Sequence, residues 1–324
     1  MTSLEPVVEQ QLLGLDRDGP RVVAIGGGHG LAQALHAIQT YAGSITAVVT
    51  VADDGGSSGR LIDALDFPPP GDLRRCLLAL TPQPTLWGEL FAYRFDRSDI
   101  AGHSLGNLML AALTDILGDF NAALLAAGSA LETQGDVLPA ADEYLRLRAT
   151  VGGKKVEGQV AISRAPGEIG DLELVPGDVG ANTAALERIL AADQIVLAPG
   201  SLYTSLLSTM IVPGLTEAVD ASTAQLAYVL NIVTQDAETL HMCGADHVLA
   251  LHERSGMKRA GTIIAHKGTA AVPAGVEAVV IDEDEALALG WDLVNEDVVD
   301  AHAAWPQHDP IKLGRVLAAL ARGE

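Results

Sequence analysis

The chain has 324 residues, of which 48% are hydrophobic and 19% are charged. This composition is too apolar for a disordered protein and predicts a globular fold with a full core. There are 42 Asp and Glu residues against 20 Lys and Arg, a formal net charge of −22 at pH 7. Such an acidic field repels nucleic acid and anionic membrane surfaces, so an anionic ligand needs local devices such as glycine turns, helix N-termini or a metal ion.

The N-terminus and the cysteines indicate a cytoplasmic protein. Residues 1–20 carry four acidic residues where a secretory signal would have basic residues and an apolar run, so we interpret this segment as a loose leader. Cys76 and Cys243 stand far apart and form no CxxC pair, which fits a reducing compartment. Membrane insertion is not expected, because no stretch approaches the roughly 18 apolar residues of a membrane helix.

A glycine turn separates the first predicted strand from the first predicted helix. Arg21–Ile25 is a short β-branched run, and Leu31–Ile38 has helical apolar spacing. The turn between them allows backbone N–H groups and the helix dipole to bind a phosphate. A GxGxxG dinucleotide fingerprint is absent, because Leu31 or Gln33 stands where its last glycine would be. The predicted ligand contacts are Gly27, Gly28, His29 and Gly30, and the alternative is a purely structural turn.

The loop after the second strand is a more specific signal. Ile45–Val51 is nearly all apolar, as expected of a buried parallel strand, and ligands bind outside the carboxyl ends of such strands. The loop at 53–60 combines adjacent carboxylates, two hydroxyls and a cation, which suits an anionic, polyhydroxylated ligand. Its predicted site residues are Asp53, Asp54, Ser57, Ser58 and Arg60. In the alternative interpretation the two aspartates only cap the loop.

Helices and a hairpin are predicted in the middle of the chain. Asp72 is expected to be the N-cap of a helix over 73–80, and a helical region over 104–131 should break near Gly118. The alternation of apolar and polar residues over 144–162 predicts an antiparallel hairpin, with a third strand at 172–175.

The second half of the chain returns to alternating helices and strands. A helix is predicted over 183–192 and a strand over 194–198, after which residues 199–201 open another helix. Asn107 lies at a similar helix entry, so the further candidate ligand contacts are Asn107, Gly200, Ser201 and Tyr203, with simple N-capping as the alternative for Ser201. Further strands are predicted at 226–232, 262–265 and 278–281, and further helices at 244–253 and 310–321.

These elements predict an α/β fold: a Rossmann-like, mostly parallel sheet flanked by helices, with a small inserted β-hairpin region at about 144–175. No long linker or repeat is visible, so a single domain over 21–324 is favoured over two domains.

Six sequence blocks then resemble a known family. They are GGGHG, TAVVTVADDGGSSGRL, PPPGDLRRCLLAL, GHSLGNLMLAAL, LAPGSLYTSLL and NIVTQDAET. In this order they resemble the YvcK-type gluconeogenesis factors of bacteria, which are CofD-like proteins, and the resemblance runs from about Arg21 to the C-terminal helix. This chain differs from the usual pattern at His29, where the family has threonine, and at Gln307, where it often has arginine before the histidine.

The resemblance implies a cytoplasmic, Rossmann-like protein that binds UDP-sugars and is needed for normal cell shape during growth on gluconeogenic carbon sources. The family shares its fold with the 2-phospho-lactate transferases, which use a nucleotide-linked donor and a divalent metal. On that similarity Asp53 and Asp54 correspond to paired aspartates near the nucleotide and Mg²⁺.

Two functions follow as hypotheses. The favoured one is a nucleotide-sugar (UDP-sugar) binding regulatory protein without catalytic activity, which could form a homo-oligomer. The alternative is a Mg-dependent transferase acting on a nucleotide-activated phosphoester. The loop over 52–60 matches the regulatory group, and no further acidic cluster offers obvious metal ligands. An NAD-dependent oxidoreductase is disfavoured by the missing fingerprint.

Overall fold

A computed structural model describes residues 18–65, 67–82, 85–268 and 272–324. Most of the expected leader at 1–20 therefore lies outside the described residues. Within them, no helix has the length and apolar character required to cross a bilayer.

A seven-stranded parallel sheet forms the centre of the protein. Its spatial order is β10-β9-β8-β7-β1-β2-β3, and every neighbouring pair is parallel. The strands are β1 (Arg21–Gly26), β2 (Ser44–Val49), β3 (Asp136–Pro139), β7 (Gln194–Leu197), β8 (Gln225–Val229), β9 (Thr262–His266) and β10 (Asp292–Glu296). The chain builds the sheet outward from β1 and then, on the other side, outward from β7. The order reverses between β1 and β7, which confirms the predicted Rossmann-like fold.

Helices cover both faces of the sheet. The helices in chain order are α1 (Gly28–Ile38), α2 (Gly56–Leu65), α3 (Pro70–Leu80), α4 (Leu86–Ala92), α5 (Leu105–Leu117), α6 (Phe120–Leu131), α7 (Gln159–Ile162), α8 (Thr183–Ala191), a π-helix (Leu202–Leu207), α9 (Ser208–Met210), α10 (Leu215–Ala221), α11 (Gly244–Ser255), α12 (Glu283–Ala288) and α13 (Pro310–Ala321). Successive residues of β1 bury their side chains in different clusters: Val23 and Ile25 in one, Val22 and Ala24 in the other. Burial on both faces explains why the central strands are mostly apolar.

A second, three-stranded antiparallel sheet has the order β5-β4-β6. Its strands are β4 (Arg146–Val151), β5 (Lys154–Glu157) and β6 (Ile169–Val175). Gly152 and Gly153 turn the hairpin with φ angles of 55° and 78°, which a residue with a Cβ atom rarely adopts. The predicted hairpin and third strand are confirmed.

Two predictions around the second loop are wrong. The predicted loop at 53–60 becomes helix from Gly56 onward, although serine and glycine are poor helix formers. Tertiary hydrogen bonds hold its first turn, because Ser57 contacts His103 and Ser58 accepts from Gly71. Helix α3 begins at Pro70, so Asp72 lies in its first turn and is not the N-cap.

The predicted strand at 278–281 is also wrong. Ala278 forms only an isolated bridge with Val233. The N–H of Val279 donates to the carbonyl of Ile232 in the loop after β8, and the carbonyl of Val280 accepts from the N–H of Gly244 at the start of α11. The edge of the sheet is instead Asp292–Glu296, which is largely solvent-accessible. An edge strand has one unpaired side, so its polar sequence carries little of the apolar signal used for prediction.

Candidate functional site

A cavity lies where the strand order reverses. Its volume is about 410 Å³, and the loops after β1, β2 and β7 meet in it. We call it the glycine cavity, because glycines 27, 28, 30, 55, 56, 71 and 200 line it. Parallel strands with this topology leave a crevice at the carboxyl ends of the two central strands. The fold therefore brings together the two glycine turns identified in the sequence.

The two glycine turns contact each other through backbone atoms. A Cβ atom on Gly30 would overlap the carbonyl oxygen of Pro199 and lie 2.8 Å from the Cα of Gly200. Asn231 holds the Gly200 peptide from the other side, accepting from its N–H and donating to its carbonyl, both at 2.7 Å. Gly30 is therefore required by close packing, whereas the position of Gly28 has a different cause.

Gly28 has φ 64°, and a Cβ placed on it would meet nothing within 4 Å. Its N–H donates to the carboxylate of Asp72 at 2.8 Å. Among the described residues, the N–H groups of His29 and Gly30 have no hydrogen-bond acceptor. The start of α1 thus offers two free N–H donors and the positive end of a helix dipole to the cavity.

Two carboxylates lie beside these donors. Asp53 accepts from the N–H of Gly55 at 2.9 Å, and a Cβ on Gly71 would lie only 2.5 Å from its Oδ2. Burial and the nearby Asp72 carboxylate raise the pKa of Asp53 to about 6. Asp72 is itself paired with Arg75. Asp53 is therefore the carboxylate of this site whose charge is least compensated.

Three arginines, Arg74, Arg75 and Arg94, line the same cavity. Arg74 is buried, donates from Nε to Asn107 at 2.9 Å and from Nη1 to the carbonyl of Phe91 at 3.3 Å. Burial, together with the other two guanidinium groups, lowers the pKa of Arg74 to about 10, so it stays charged at neutral pH. In a protein of net charge −22, this is a local concentration of positive charge.

Neutral polar groups complete the lining. Asn107 donates to Ser57 Oγ at 3.1 Å, and Ser57 lies 3.0 Å from His103 Nδ1. Burial and the Arg75 charge lower the pKa of His29, so its imidazole is neutral at pH 7. The buried Oε1 of Gln235 has no hydrogen-bond partner within the described part of the chain. The cavity thus offers acceptors and hydroxyls as well as cations.

The first turn of the π-helix after β7 donates hydrogen bonds to the buried carboxylate of Glu238. Glu238 accepts from the N–H groups of Tyr203 and Thr204 at 3.2 and 3.4 Å, and from the Thr204 hydroxyl at 2.5 Å. Burial raises the pKa of Glu238. Because Glu238 already occupies these N–H groups, they are not available to a ligand.

Most of the predicted site residues lie in the cavity. The glycine cavity is lined by Gly27, Gly28, His29, Gly30, Asp53, Ser57, Ser58, Asn107, Gly200 and Ser201. Three others do not line it: Asp54 accepts from the N–H of Val160 at 2.9 Å, Arg60 donates to the carbonyl of Ala101, and Tyr203 faces a second cavity. Gln307 also lies elsewhere, 3.4 Å from Asp300.

Of the two aspartates that the resemblance places near the nucleotide, only Asp53 lines the glycine cavity. Asp54 faces Val160 instead, because adjacent residues of an extended segment point in opposite directions. The carboxylate that accompanies Asp53 is Asp72. Across the described ranges, no three His, Cys, Asp or Glu side chains form a metal-binding group.

Sequence reasoning missed several lining residues: Asp72, Arg74, Arg75, Arg94, Gln159, Ser205 and Gln235. A usable signal existed for the first three, because GDLRR places an acid and two cations in one helical turn directly after the proline block. Arg94 and Gln235 lie on separate loops and Gln159 begins α7, so all three reach the cavity only through the tertiary fold.

The relatives of this chain agree with this architecture. The family described as 2-phospho-L-lactate transferase CofD matches residues 22–299. Proteins named gluconeogenesis factor are 38% identical in Bacillus subtilis, covering 93% of this chain and 98% of that protein, and 41% identical in Halalkalibacterium halodurans, covering 83% and 86%. A crystal structure of a UPF0052 family protein from Bacillus halodurans has a TM-score of 0.88 at 37% identity, covering 93% of this chain and 99% of that one. The family match covers every residue that lines the glycine cavity and, apart from Arg21, every strand residue in the described part of the chain, and the chain belongs to the CofD family.

Proposed function

We propose that this protein is a gluconeogenesis factor that binds a nucleotide sugar, in the first place a UDP-sugar, and acts as a regulator of cell shape and of growth on gluconeogenic carbon sources. One observation carries the proposal. The free N–H groups of His29 and Gly30 and the guanidinium groups of Arg74, Arg75 and Arg94 converge on a single cavity. The names of the relatives in Bacillus subtilis and Halalkalibacterium halodurans support the gluconeogenic context.

Electrostatics favours a diphosphate over a neutral ligand in this cavity. Three arginines and two aspartates line the cavity, so it carries a local excess of positive charge that a bound anion would neutralise. Arg75 offers a fixed fork of donors, and helix N-termini bind phosphates through backbone N–H groups. The hydroxyls of Ser57 and Ser58 and the unpaired Oε1 of Gln235 suit the hydroxyl groups of the rest of such a ligand.

A Mg-dependent transferase is the second candidate, and the Asp53–Asp72 pair favours it. Mg²⁺ in phosphate sites commonly uses one or two carboxylates together with water and phosphate oxygens. Burial and the nearby Asp72 carboxylate raise the pKa of Asp53, and a divalent cation would stabilise its charged form. Asp53 and Asp72 are the residues that would hold it. When bound, the ion would neutralise charge that develops on the phosphates. Asp54 would not serve as a ligand at this site, because its carboxylate accepts from the N–H of Val160.

Calorimetry separates the candidates. The wild-type protein is titrated with UDP-glucose, UDP-N-acetylglucosamine, NAD, GDP and GTP, each with and without Mg²⁺, and every mixture that shows binding is analysed for product. We expect saturable binding of a UDP-sugar and no turnover. Product formation would establish the transferase instead, and an absence of binding by every nucleotide would refute both.

A further inference from the structure

A second and larger cavity lies next to the glycine cavity. It has a volume of about 790 Å³, within the range of small-molecule sites, and we call it the acidic cavity. Three chain segments contribute to both cavities: 159–168, 200–205 and 235–242. Gln235 lines the glycine cavity and Asp236 lines the acidic cavity, and consecutive Cα atoms are about 3.8 Å apart. The two cavities therefore lie side by side and share this loop as a wall.

Free acceptors and donors face each other in the acidic cavity. The acceptors are the carboxylates of Glu168, Asp236 and Glu253, which make no side-chain hydrogen bond within the described residues. The donors are the hydroxyl of Tyr203 and Arg254, whose buried Nε has no partner in the same part of the chain. Apolar contact surface comes from Leu240, Met242 and Leu249.

The loop that forms one wall is strained. Ala237 and His241, neither of them glycine, adopt φ angles of 65° and 69°. Such backbone conformations cost about 1–3 kcal/mol and persist where surrounding contacts hold them, often at ligand sites. Here Glu238, between the two, is bonded to Thr204 and fixes the loop against the π-helix.

The lining excludes several ligand classes. Five carboxylates against two arginines disfavour a phosphate, and the charged rim disfavours a purely apolar ligand. The mixture of free donors, free acceptors and apolar surface matches a glycosyl ring, whose hydroxyls both donate and accept and whose C–H faces are apolar.

We propose that the acidic cavity holds the glycosyl group of the nucleotide sugar whose diphosphate lies in the glycine cavity. The proposal rests on the proposed nucleotide-sugar function and names the part of the protein that selects the sugar. Asp236 and Glu253 accept hydrogen bonds from the sugar hydroxyls, and Tyr203 and Arg254 donate to them.

Calorimetry with paired probes tests this assignment. The wild-type protein, the double variant Asp236→Asn/Glu253→Gln and the variant Tyr203→Phe are each titrated with UDP and with UDP-N-acetylglucosamine. Glu187→Gln serves as a matched control, because Glu187 is exposed on α8 and lines neither cavity. We expect the wild type to prefer the sugar nucleotide over UDP, and the double variant to lose about tenfold of that preference, the loss expected for a hydrogen bond to a charged group. Tyr203→Phe should lose part of it, and UDP affinity should stay within twofold in all variants.

The outcomes distinguish the two proposals. Three results would overturn the glycosyl assignment and leave the nucleotide-binding function intact. The first is that both variants keep the wild-type ratio of the two affinities, and the second is that they lose affinity for UDP and for the sugar nucleotide equally. The third is that the wild type binds the two probes with equal affinity. A wild type that binds neither probe would instead contradict the proposed UDP-sugar function, on which the glycosyl assignment rests.

Discussion

The N–H of Gly28 donates to the carboxylate of Asp72 across 2.8 Å, although 44 residues separate the two in sequence. The bond ties the start of α1 to the first turn of α3. It also places a carboxylate of the protein directly beside the free N–H groups of His29 and Gly30. This arrangement makes the glycine turn part of a charged network that includes Arg75 and Asp53.

Replacing Gly28 with alanine should weaken nucleotide-sugar binding more than it weakens folding. The new methyl group would project into open space on the cavity side, and the φ of 64° adds a strain of about 1–2 kcal/mol. Gly118→Ala is the control, because Gly118 has φ 73° and open space but lies far from the cavity at the end of α5. Thermal unfolding should show similar losses of stability in the two variants. Calorimetry should show a loss of affinity only for Gly28→Ala. Equal affinities would mean that the turn is structural.

Replacing Arg75 with glutamine should reduce the affinity for a nucleoside diphosphate by about tenfold or more, because a charge-assisted hydrogen bond is lost and Asp72 is left without its cation. Arg21→Gln provides the comparison. Arg21 also pairs with an aspartate, Asp193, but it begins β1 and therefore lies at the opposite edge of the sheet. Titration of UDP should detect the loss in the first variant alone. A similar loss in both would point to a general effect of net charge.

The adjacent aspartates should behave differently when each is changed to asparagine. Asp53→Asn should reduce or abolish any gain in affinity produced by Mg²⁺, because Asp53 lines the glycine cavity. Asp54→Asn should leave affinity unchanged and lower stability by about 1 kcal/mol, since its carboxylate holds the N–H of Val160. Titrations with and without Mg²⁺, with thermal unfolding alongside, measure both effects. If Asp54→Asn alone alters the Mg²⁺ response, the assignment of Asp53 is wrong.

His308 should make the folded protein sensitive to acid. Burial lowers its pKa to about 4, whereas the unfolded chain protonates histidine near pH 6.5. Between these values the unfolded state binds more protons, so stability is fully present above about pH 6.5 and is lost as the pH falls towards 4, by an amount on the order of 2–3 kcal/mol. His308→Gln should flatten this part of the stability curve in urea unfolding. An unchanged slope would assign the acid sensitivity to other groups.

Much of the fold was predictable because the central strands are buried on both faces. Residues 45–51 and 194–198 are nearly all apolar, and glycines mark the turns that follow β1 and β7. Strand β10 was not predictable, because an exposed edge strand such as Asp292–Glu296 lacks that pattern. Helix α2 was missed because its serines and glycines have poor helix propensity, which tertiary hydrogen bonds of Ser57 and Ser58 outweigh in the folded protein.

The site was predictable only where one short segment contained the whole signal. The turn residues at 27–30 and Asp53, Ser57 and Ser58 of the second loop were found in this way. The direction of a side chain is not encoded so locally. Asp53 and Asp54 are equivalent in sequence, and only the position of Val160 in helix α7 decides which of them turns away from the cavity. Arg94 and Gln235 were invisible because no local pattern links them to a ligand.

The backbone contact between Gly30 and Pro199 has a consequence for how this protein can change over evolutionary time. It lies beside the directly paired strands β1 and β7, so Gly30 cannot gain a side chain, and the two turns cannot move apart, without disturbing the middle of the sheet. New ligand preferences must therefore arise elsewhere, in the walls built from 159–168 and 235–242. We expect relatives with different ligands to keep the backbone contact between the two glycine turns and to differ in sequence within 159–168 and 235–242.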